Sequence, residues 1–141
     1  MAYSTQTDIL HQLDERTLIQ LTDDEGLGEI DTTVLARAIA DADATIDAYL
    51  QGRYEVPLSS VPAKIRQISV DLALYHLFSR KDDTAPETRR GRYQDALRFL
   101  EQVASGRIRL GAPTLAAETT PDAADLKASD RLFKRDRMKG F

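Results

Sequence analysis

The sequence predicts an all-α fold: a small helical bundle with three long helices and a short N-terminal helix, followed by an extended C-terminal tail. Three stretches repeat apolar residues at spacings of three and four, which is the period of an amphipathic helix. Breaks rich in glycine, proline and acidic residues separate these stretches. Since 141 residues fit one ordinary domain, we assign residues 1–111 to the helical domain and 112–141 to a flexible tail.

Composition excludes several classes of protein. The chain has no cysteine, which excludes disulfides, thiolate zinc sites and a cysteine nucleophile. Its net charge of -4 disfavours non-specific binding to nucleic acid by the molecule as a whole. No stretch approaches the ~20 apolar residues of a membrane span, and the N-terminus has no apolar run of signal-peptide length. We therefore expect a chain that is cytoplasmic at synthesis and does not bind membranes.

The first helix is predicted to be short. Thr5 resembles an N-cap, with Asp8 in the first turn. Three apolar residues follow on one face: Ile9, Leu10 and Leu13. A second small turn is expected over residues 18–21. The run at 23–28 ends it, because three adjacent acids and two glycines are typical of a solvated loop.

The first long helix is predicted to begin at Asp31 or Thr32, either of which can cap it. Its apolar residues share one face over about four turns. They are Leu35, Ala38, Ile39, Ala42, Ile46, Tyr49 and Leu50. Gly52 lies where a C-terminal cap belongs. Pro57 cannot continue a helix and restricts Val56 to extended geometry, so an extended linker should follow.

The second long helix is predicted to be the central one. Ser60 and Pro62 indicate its cap region and first turn. Apolar residues cover much of its surface: Ile65, Ile68, Val70, Leu72, Leu74, Tyr75, Leu77 and Phe78. A helix that is apolar on so many sides is usually enclosed by other elements.

The third long helix is predicted to begin near Thr84, a candidate cap, with Pro86 in its first turn. One face holds Tyr93, Ala96, Leu97, Leu100, Val103 and Ala104. Gly106 should end the helix. Gly91 inside it costs roughly 1 kcal/mol relative to alanine, which predicts a frayed start. Residues 107–110 then alternate polar and apolar side chains, as in a short strand.

The C-terminal tail changes in composition along its length. Residues 111–127 are rich in Ala, Thr, Pro and Asp, and we expect them to be disordered when alone. Residues 131–141 hold five basic residues and one acid: Arg131, Lys134, Arg135, Asp136, Arg137 and Lys139. Leu132, Phe133, Met138 and Phe141 are interleaved with them. This mixture favours docking on a protein surface, with nucleic acid, stacked on Phe133 and Phe141, as the alternative.

Two groups of acids are candidates for a metal site. On a helix Asp43 and Asp47 share a face, but Asp41 does not. The cluster at residues 23–25 lacks the spaced oxygen ligands of a calcium loop. Both groups are therefore interpreted as solvated acidic surface. A carboxylate metal enzyme using Asp41, Asp43 and Asp47 is the third-ranked alternative.

The remaining catalytic candidates lack partners in the sequence. His11 and His76 are the only histidines, and neither lies in a recognisable motif. His76 falls on the most apolar helix, so we expect it to be packed or at the edge of the core. The Gly26-Leu27-Gly28 run is not a phosphate loop, because no strand precedes it and no Gly-Lys-Ser/Thr follows. The sequence predicts no enzyme and no cofactor.

Three stretches taken together resemble a known family. They are MAYSTQTD at residues 1–8, IDAYLQGRYEVPL at 46–58 with the following Val61-Pro62, and FKRDRMKGF at 133–141. They are similar to the Mu-like phage and prophage head-completion proteins, which are related to the head-tail connector, or adaptor, proteins of tailed phages. The similarity runs over nearly the whole chain. Tyr49, Gly52, Tyr54 and Pro57 also have local explanations as core, cap, packing and linker residues.

The resemblance implies a structural subunit without enzyme activity. Copies of it, about twelve to match portal symmetry, would form a ring beneath the portal of a filled capsid and a platform for the phage tail. The implied partners are the portal protein and a tail-proximal or stopper protein, while DNA passes through the channel without specific binding. The implied location is the virion, after assembly in the host cytoplasm.

In this setting the C-terminal tail docks on the portal or on a neighbouring subunit. The residues expected to bind the partner are Phe133, Arg135, Arg137, Met138 and Phe141. The acids at 41, 43 and 47, or those at 23–25, could line the channel and repel the duplex. A DNA-binding regulator that uses its basic C-terminal tail is the second-ranked interpretation.

Overall fold

The computed structural model describes residues 2–80 and 85–115, which form five helices. They are α1 (Gln6–Leu10), α2 (Glu15–Thr22), α3 (Thr32–Leu50), α4 (Ala63–Ser79) and α5 (Glu87–Ala104). The three long helices pack against one another, and the two short ones pack against α4. The all-α prediction is confirmed. Within this part of the chain, the expected small turn at 18–21 is a full helix, α2.

Side chains set the start of the first three helices. Thr5 and Asp8 form a capping box on α1, as predicted. Asp14 caps α2 by accepting from the Thr17 amide, a cap that was not predicted from the sequence. Asp31 caps α3 by accepting from the next two free amides, those of Thr33 and Val34.

The other two long helices start after a proline. Pro62 and Pro86 are the N-cap residues of α4 and α5, and neither helix has a side-chain cap. Pro62 therefore precedes the first turn instead of lying in it, and the expected cap from Ser60 is absent there. Thr84, the cap predicted for α5, lies outside the described residues.

The C-terminal ends of α3 and α5 have different backbone conformations, although the sequence predicted a glycine cap at both. Gly106 has a φ of 84° just after α5, and the Arg107 amide reaches back to the Gln102 carbonyl, which makes a Schellman motif. Gly52, by contrast, does not adopt a positive φ. The turn after α3 instead continues until the Tyr54 amide donates to the Leu50 carbonyl at 2.9 Å. The Val56–Pro57 peptide bond beyond it is cis.

The strand predicted at residues 107–110 is wrong, because residues 107 and 108 form a bend and residues 109 and 110 are irregular, without a partner strand in the described ranges. A single bridge joins Tyr54 to Thr114 instead. The chain stays in contact with the bundle as far as Leu115, whose amide donates to the Arg53 carbonyl at 3.0 Å. The domain boundary placed at residue 111 remains a prediction.

Helix α4 is the central helix, as predicted. Its fully buried apolar residues are Ile65, Ile68, Val70, Leu72, Ala73, Leu74 and Leu77. Tyr75 and Phe78 are only partly buried. The predicted face of α3 is likewise buried, apart from the half-buried Tyr49. On α5 the fully buried part of the predicted face is Ala96, Leu100 and Val103.

Gly106 and Gly91 make a matched pair for a stability test. Gly106→Ala should lower the free energy of unfolding by about 1–3 kcal/mol, because its backbone is left-handed. An added Cβ would also lie 2.6 Å from the Arg53 guanidinium. Gly91→Ala, in open space within α5, should raise it by about 0.5–1 kcal/mol. Urea unfolding followed by circular dichroism measures both, and equal effects would contradict the assignment of Gly106 as the helix stop.

Candidate interaction surfaces

The loop between α2 and α3 has a defined shape. The Asp23 carboxylate accepts from the Leu27 amide at 3.0 Å and from the Gly28 amide at 2.7 Å. Gly26 and Gly28 adopt positive φ angles of 75° and 77°, which glycine allows without strain. We call residues 23–28 the Leu27 loop.

The bundle holds the Leu27 loop on both sides. Arg80, just after α4, pairs with the Asp24 carboxylate and donates to the Leu21 carbonyl at 2.8 Å. On the other side, the Asp31 amide donates to the buried Thr22 hydroxyl at 3.1 Å. These contacts tie the end of α2 to the end of α4 and to the start of α3.

The tip of the loop presents an apolar side chain between carboxylates. Leu27 is 67% exposed, the highest value for a large apolar residue in the described chain. Glu25 and Glu29 flank it, are exposed, and form no ion pair within that part of the chain. An apolar tip between free carboxylates is a feature suited to a partner that offers both apolar and basic groups.

A groove lies at the other end of α3. Its walls are residues 52–55, which follow α3, and residues 106–115, which follow α5. We call it the C-terminal groove, and its volume is about 960 Å³. Arg53 and Arg109 supply positive charge, and Ile108 and Leu115 supply apolar surface.

Residues 52–55, which form one wall of this groove, belong to the stretch at 46–58 that resembles the connector family. Arg53 Nε donates to the Ala104 carbonyl at 2.8 Å, and its guanidinium lies over Gly106. The buried Tyr54 phenol accepts from the Leu110 amide at 3.0 Å. The packing role predicted for Tyr54 is confirmed, whereas the bridging role of Arg53 was not anticipated from the sequence.

A second polar network joins the N-terminus to the bundle. Tyr3 is 2% exposed, and its phenol donates to the Asp47 carboxylate and accepts from the Leu58 amide. The Tyr3 amide donates to Asp43 at 3.1 Å. Asp43 also accepts from the Ser69 hydroxyl at 2.9 Å.

Two of the three acids on α3 that are candidate metal ligands are therefore structural. The prediction of solvated surface is wrong for Asp43 and Asp47, because residues from the N-terminus and α4 cover and bond them. Asp41 is exposed, as predicted. The described ranges contain no group of acids and histidines that could hold a metal ion.

Burial changes the titration of this network. Desolvation, followed by the hydrogen bond to Asp47, raises the pKa of Tyr3 to about 12. Desolvation also raises the pKa of Asp43, although the bonds from the Tyr3 amide and Ser69 oppose it.

A buried carboxylate on α4 was not anticipated from the sequence. Asp71 is 7% exposed, and its Oδ1 has no hydrogen-bond partner among the described residues. Desolvation raises the pKa of Asp71, against the nearby charges of Arg92, Arg89 and Lys64. Arg89 and Arg92 donate instead to Gln12, at 3.2 and 3.1 Å.

The two histidines lie in different environments. His76 is half-buried, with its ring 6.3 Å from that of Tyr93. Desolvation lowers its pKa, which favours the neutral ring. The packed or edge position predicted for His76 is confirmed. His11 is exposed.

The predicted partner-binding residues Phe133, Arg135, Arg137, Met138 and Phe141 lie outside the described residues. Their role therefore stays a prediction. None of the helices in the described ranges combines the length and the apolar character needed to span a bilayer.

The Tyr3 network yields a test by pH. A folded-state pKa near 12 against about 10 unfolded means that the unfolded chain loses this proton first, so stability should fall between about pH 10 and 12. Tyr3→Phe should remove that part of the slope. It should also lower the free energy of unfolding at neutral pH by about 1–3 kcal/mol, because the Leu58 amide loses its acceptor.

Tyr49→Phe is the control for this test, because the Tyr49 phenol makes no hydrogen bond within the described residues and lies on the same helix as Asp43 and Asp47. It should change the neutral-pH value by less than about 0.5 kcal/mol. Unfolding curves at a series of pH values measure both quantities. An alkaline slope that Tyr3→Phe leaves unchanged would assign the effect to other groups.

Known proteins resemble this chain over most of its length. A sequence profile of the family described as "Bacteriophage Mu, Gp36" matches residues 3–128. The Mu-like prophage FluMu protein gp36 of Haemophilus influenzae is 36% identical over 116 residues, which cover 79% of this chain and 78% of the relative.

Gene product J of Escherichia phage Mu is 31% identical over an alignment of 144 positions, which covers 100% of this chain and 99% of the relative. Neither relative carries the name of an enzyme. The match spans the Tyr3 network, the Leu27 loop and both walls of the C-terminal groove. The chain is therefore a phage protein that belongs to the bacteriophage Mu Gp36 family.

Proposed function

We propose that this chain is a structural head-tail connector subunit of a Mu-like phage or prophage. Copies of it assemble as a ring on the portal and form the platform to which the phage tail attaches. The observation that carries the proposal is the presence of two unlike exposed surfaces at opposite ends of α3. Membership in a phage Mu family supplies the setting in which such a subunit acts.

The placement of the two surfaces suits a ring. Helix α3 has 19 residues, so its ends lie about 28 Å apart at a rise of ~1.5 Å per residue. The Leu27 loop precedes its first turn, and the C-terminal groove follows its last. Unlike surfaces at opposite ends support head-to-tail contacts, which form a ring when the rotation between neighbours closes, whereas a two-fold dimer uses one patch twice.

The C-terminal tail extends the proposal to a second partner. Leu115, the last described residue before this segment, lines the C-terminal groove. Phe133, Met138 and Phe141 are the apolar anchors toward the portal or a neighbouring subunit, and Arg135 and Arg137 meet acidic groups there. DNA passes through the ring without specific binding, since the chain carries a net charge of -4.

Native mass, measured by light scattering and negative-stain imaging with and without the portal protein of the same phage, tests the ring. A ring of about twelve subunits, alone or on the portal, is expected. A chain that stays monomeric, ignores the portal and binds DNA in a salt-dependent manner would contradict the connector proposal and favour a DNA-binding regulator.

The role of the C-terminal tail makes a separate prediction. Phe133→Ser combined with Phe141→Ser should weaken portal binding by at least about thirtyfold, which is the loss of about 2 kcal/mol expected at an interface anchor. Arg135→Gln combined with Arg137→Gln should have a smaller effect that shrinks further with added salt. Glu101→Lys, on the exposed face of α5, is the control. Unchanged portal binding after deletion of residues 128–141 would contradict the docking role.

A further inference from the structure

The two surfaces at the ends of α3 are complementary in charge. Residues 23–31 contain five acids and no basic residue. Asp23, Asp24 and Asp31 are engaged within the subunit, which leaves Glu25 and Glu29 as outward charges. The C-terminal groove has Arg53 and Arg109 against the single acid Glu55.

The two surfaces are also complementary in apolar character. Among the described residues, the exposed large apolar side chains are Leu27 and Leu115. Leu27 lies in the exposed Leu27 loop, while Leu115, at 40% exposure, and Ile108 both line the C-terminal groove. Both side chains thus stand where burial against another surface would remove apolar area from water.

We propose that the Leu27 loop of one subunit inserts into the C-terminal groove of the next. Leu27 packs between Ile108 and Leu115, and Glu25 and Glu29 pair with Arg109 and Arg53. This contact between copies of the chain rests on the proposed ring and specifies which surfaces make it.

A subunit cannot make this contact with itself. Helix α3 separates the loop from the groove by about 28 Å, and both surfaces are anchored to the bundle. The Asp24–Arg80 pair holds the loop, and the bond from Arg53 Nε to the Ala104 carbonyl holds the groove. The partner is therefore a second copy, and because the two surfaces differ, each subunit can bind one neighbour on each side.

Cysteine cross-linking tests the contact directly, because the natural chain has no cysteine. Leu27→Cys chains and Thr114→Cys chains are oxidised separately and as a mixture, with and without the portal protein. Thr114 is exposed and lines the groove. The expected result is a disulfide-linked pair in the mixture only. A chain carrying both substitutions should give a ladder of linked subunits. Leu27→Cys mixed with Glu101→Cys should give no link.

Charge reversal gives a second, independent measurement. Glu25→Arg alone, or Arg109→Glu alone, should weaken self-association by about tenfold, because like charges then face each other. Mixing the two variant chains should restore association through the interface where both charges are reversed. Glu101→Arg and Arg66→Glu, exposed residues elsewhere on the bundle, are controls that should leave association unchanged. Sedimentation over a range of concentrations and salt measures these effects.

The outcomes separate this contact from the ring itself. A ring that forms without the Leu27–Thr114 link overturns the contact and leaves the proposed function standing. Links between two Leu27→Cys chains overturn it in favour of a two-fold dimer. A link that appears only after deletion of residues 116–141 shows that the chain's own C-terminal residues occupy the groove, which also overturns it. A chain that stays monomeric even with the portal overturns both the contact and the ring.

Discussion

The structure depends on the burial of α4, because every other helix in the described chain packs against it. Contacts with α3, α5 and the two short helices bury the middle of α4, from Ile68 to Leu74, while most of its first turn stays exposed. Its seven buried apolar residues are the largest share of the core that any one helix supplies, and removal of apolar surface from water is the main force that holds the helices together. The directions of α3 and α5, and therefore the positions of their ends, follow from this packing.

The burial of α4 also places two of its polar side chains, Ser69 and Asp71, out of contact with most of the solvent. Ser69 is fully buried but bonds both Asp43 and the Ser4 hydroxyl, so its burial is compensated. Asp71 on the same helix lacks a partner for one oxygen among the described residues, and its ionised form is penalised by desolvation. Hydrogen bonds thus compensate the burial of the polar groups around Tyr3, whereas one oxygen of the buried Asp71 has no such bond within the described residues, although Arg92, Arg89 and Lys64 lie near it.

The surfaces proposed to act between subunits lie where the helices end and not on their faces. The apolar faces of the helices are buried in the core, so the Leu27 loop and the C-terminal groove are formed by the segments that connect or follow the helices. Hydrogen bonds give those connections a fixed form: the Asp23 carboxylate shapes the Leu27 loop locally, and Arg53 and Tyr54 hold the C-terminal groove through bonds to distant residues. A ring requires surfaces of fixed shape, since ordering a loose loop at every interface would weaken each contact.

Local patterns in the sequence determined the fold class, the three long helices, the Thr5 and Asp31 caps, the Gly106 stop and the central position of α4. These features depend on residues within one or two turns of each other, which is why spacing alone predicts them. The combined resemblance of residues 1–8, 46–58 and 133–141 pointed to the Mu-like phage proteins, and the chain belongs to the bacteriophage Mu Gp36 family. The full length of α2 was not predicted, although its local signal, the Asp14 cap, is present in the sequence.

Only the tertiary structure decided the roles of Asp43, Asp47, Arg53 and Asp71. Their partners are 26 to 51 residues away in the chain or, for one oxygen of Asp71, absent from the described residues. The spacing of apolar residues along the sequence does not predict such pairs, because contacts between distant segments form only when the helices pack together. The same reason explains why the strand predicted at 107–110 is wrong. Polar and apolar residues alternate there, but in the folded chain the Leu110 amide bonds the Tyr54 phenol and no neighbouring strand lies beside these residues in the described ranges.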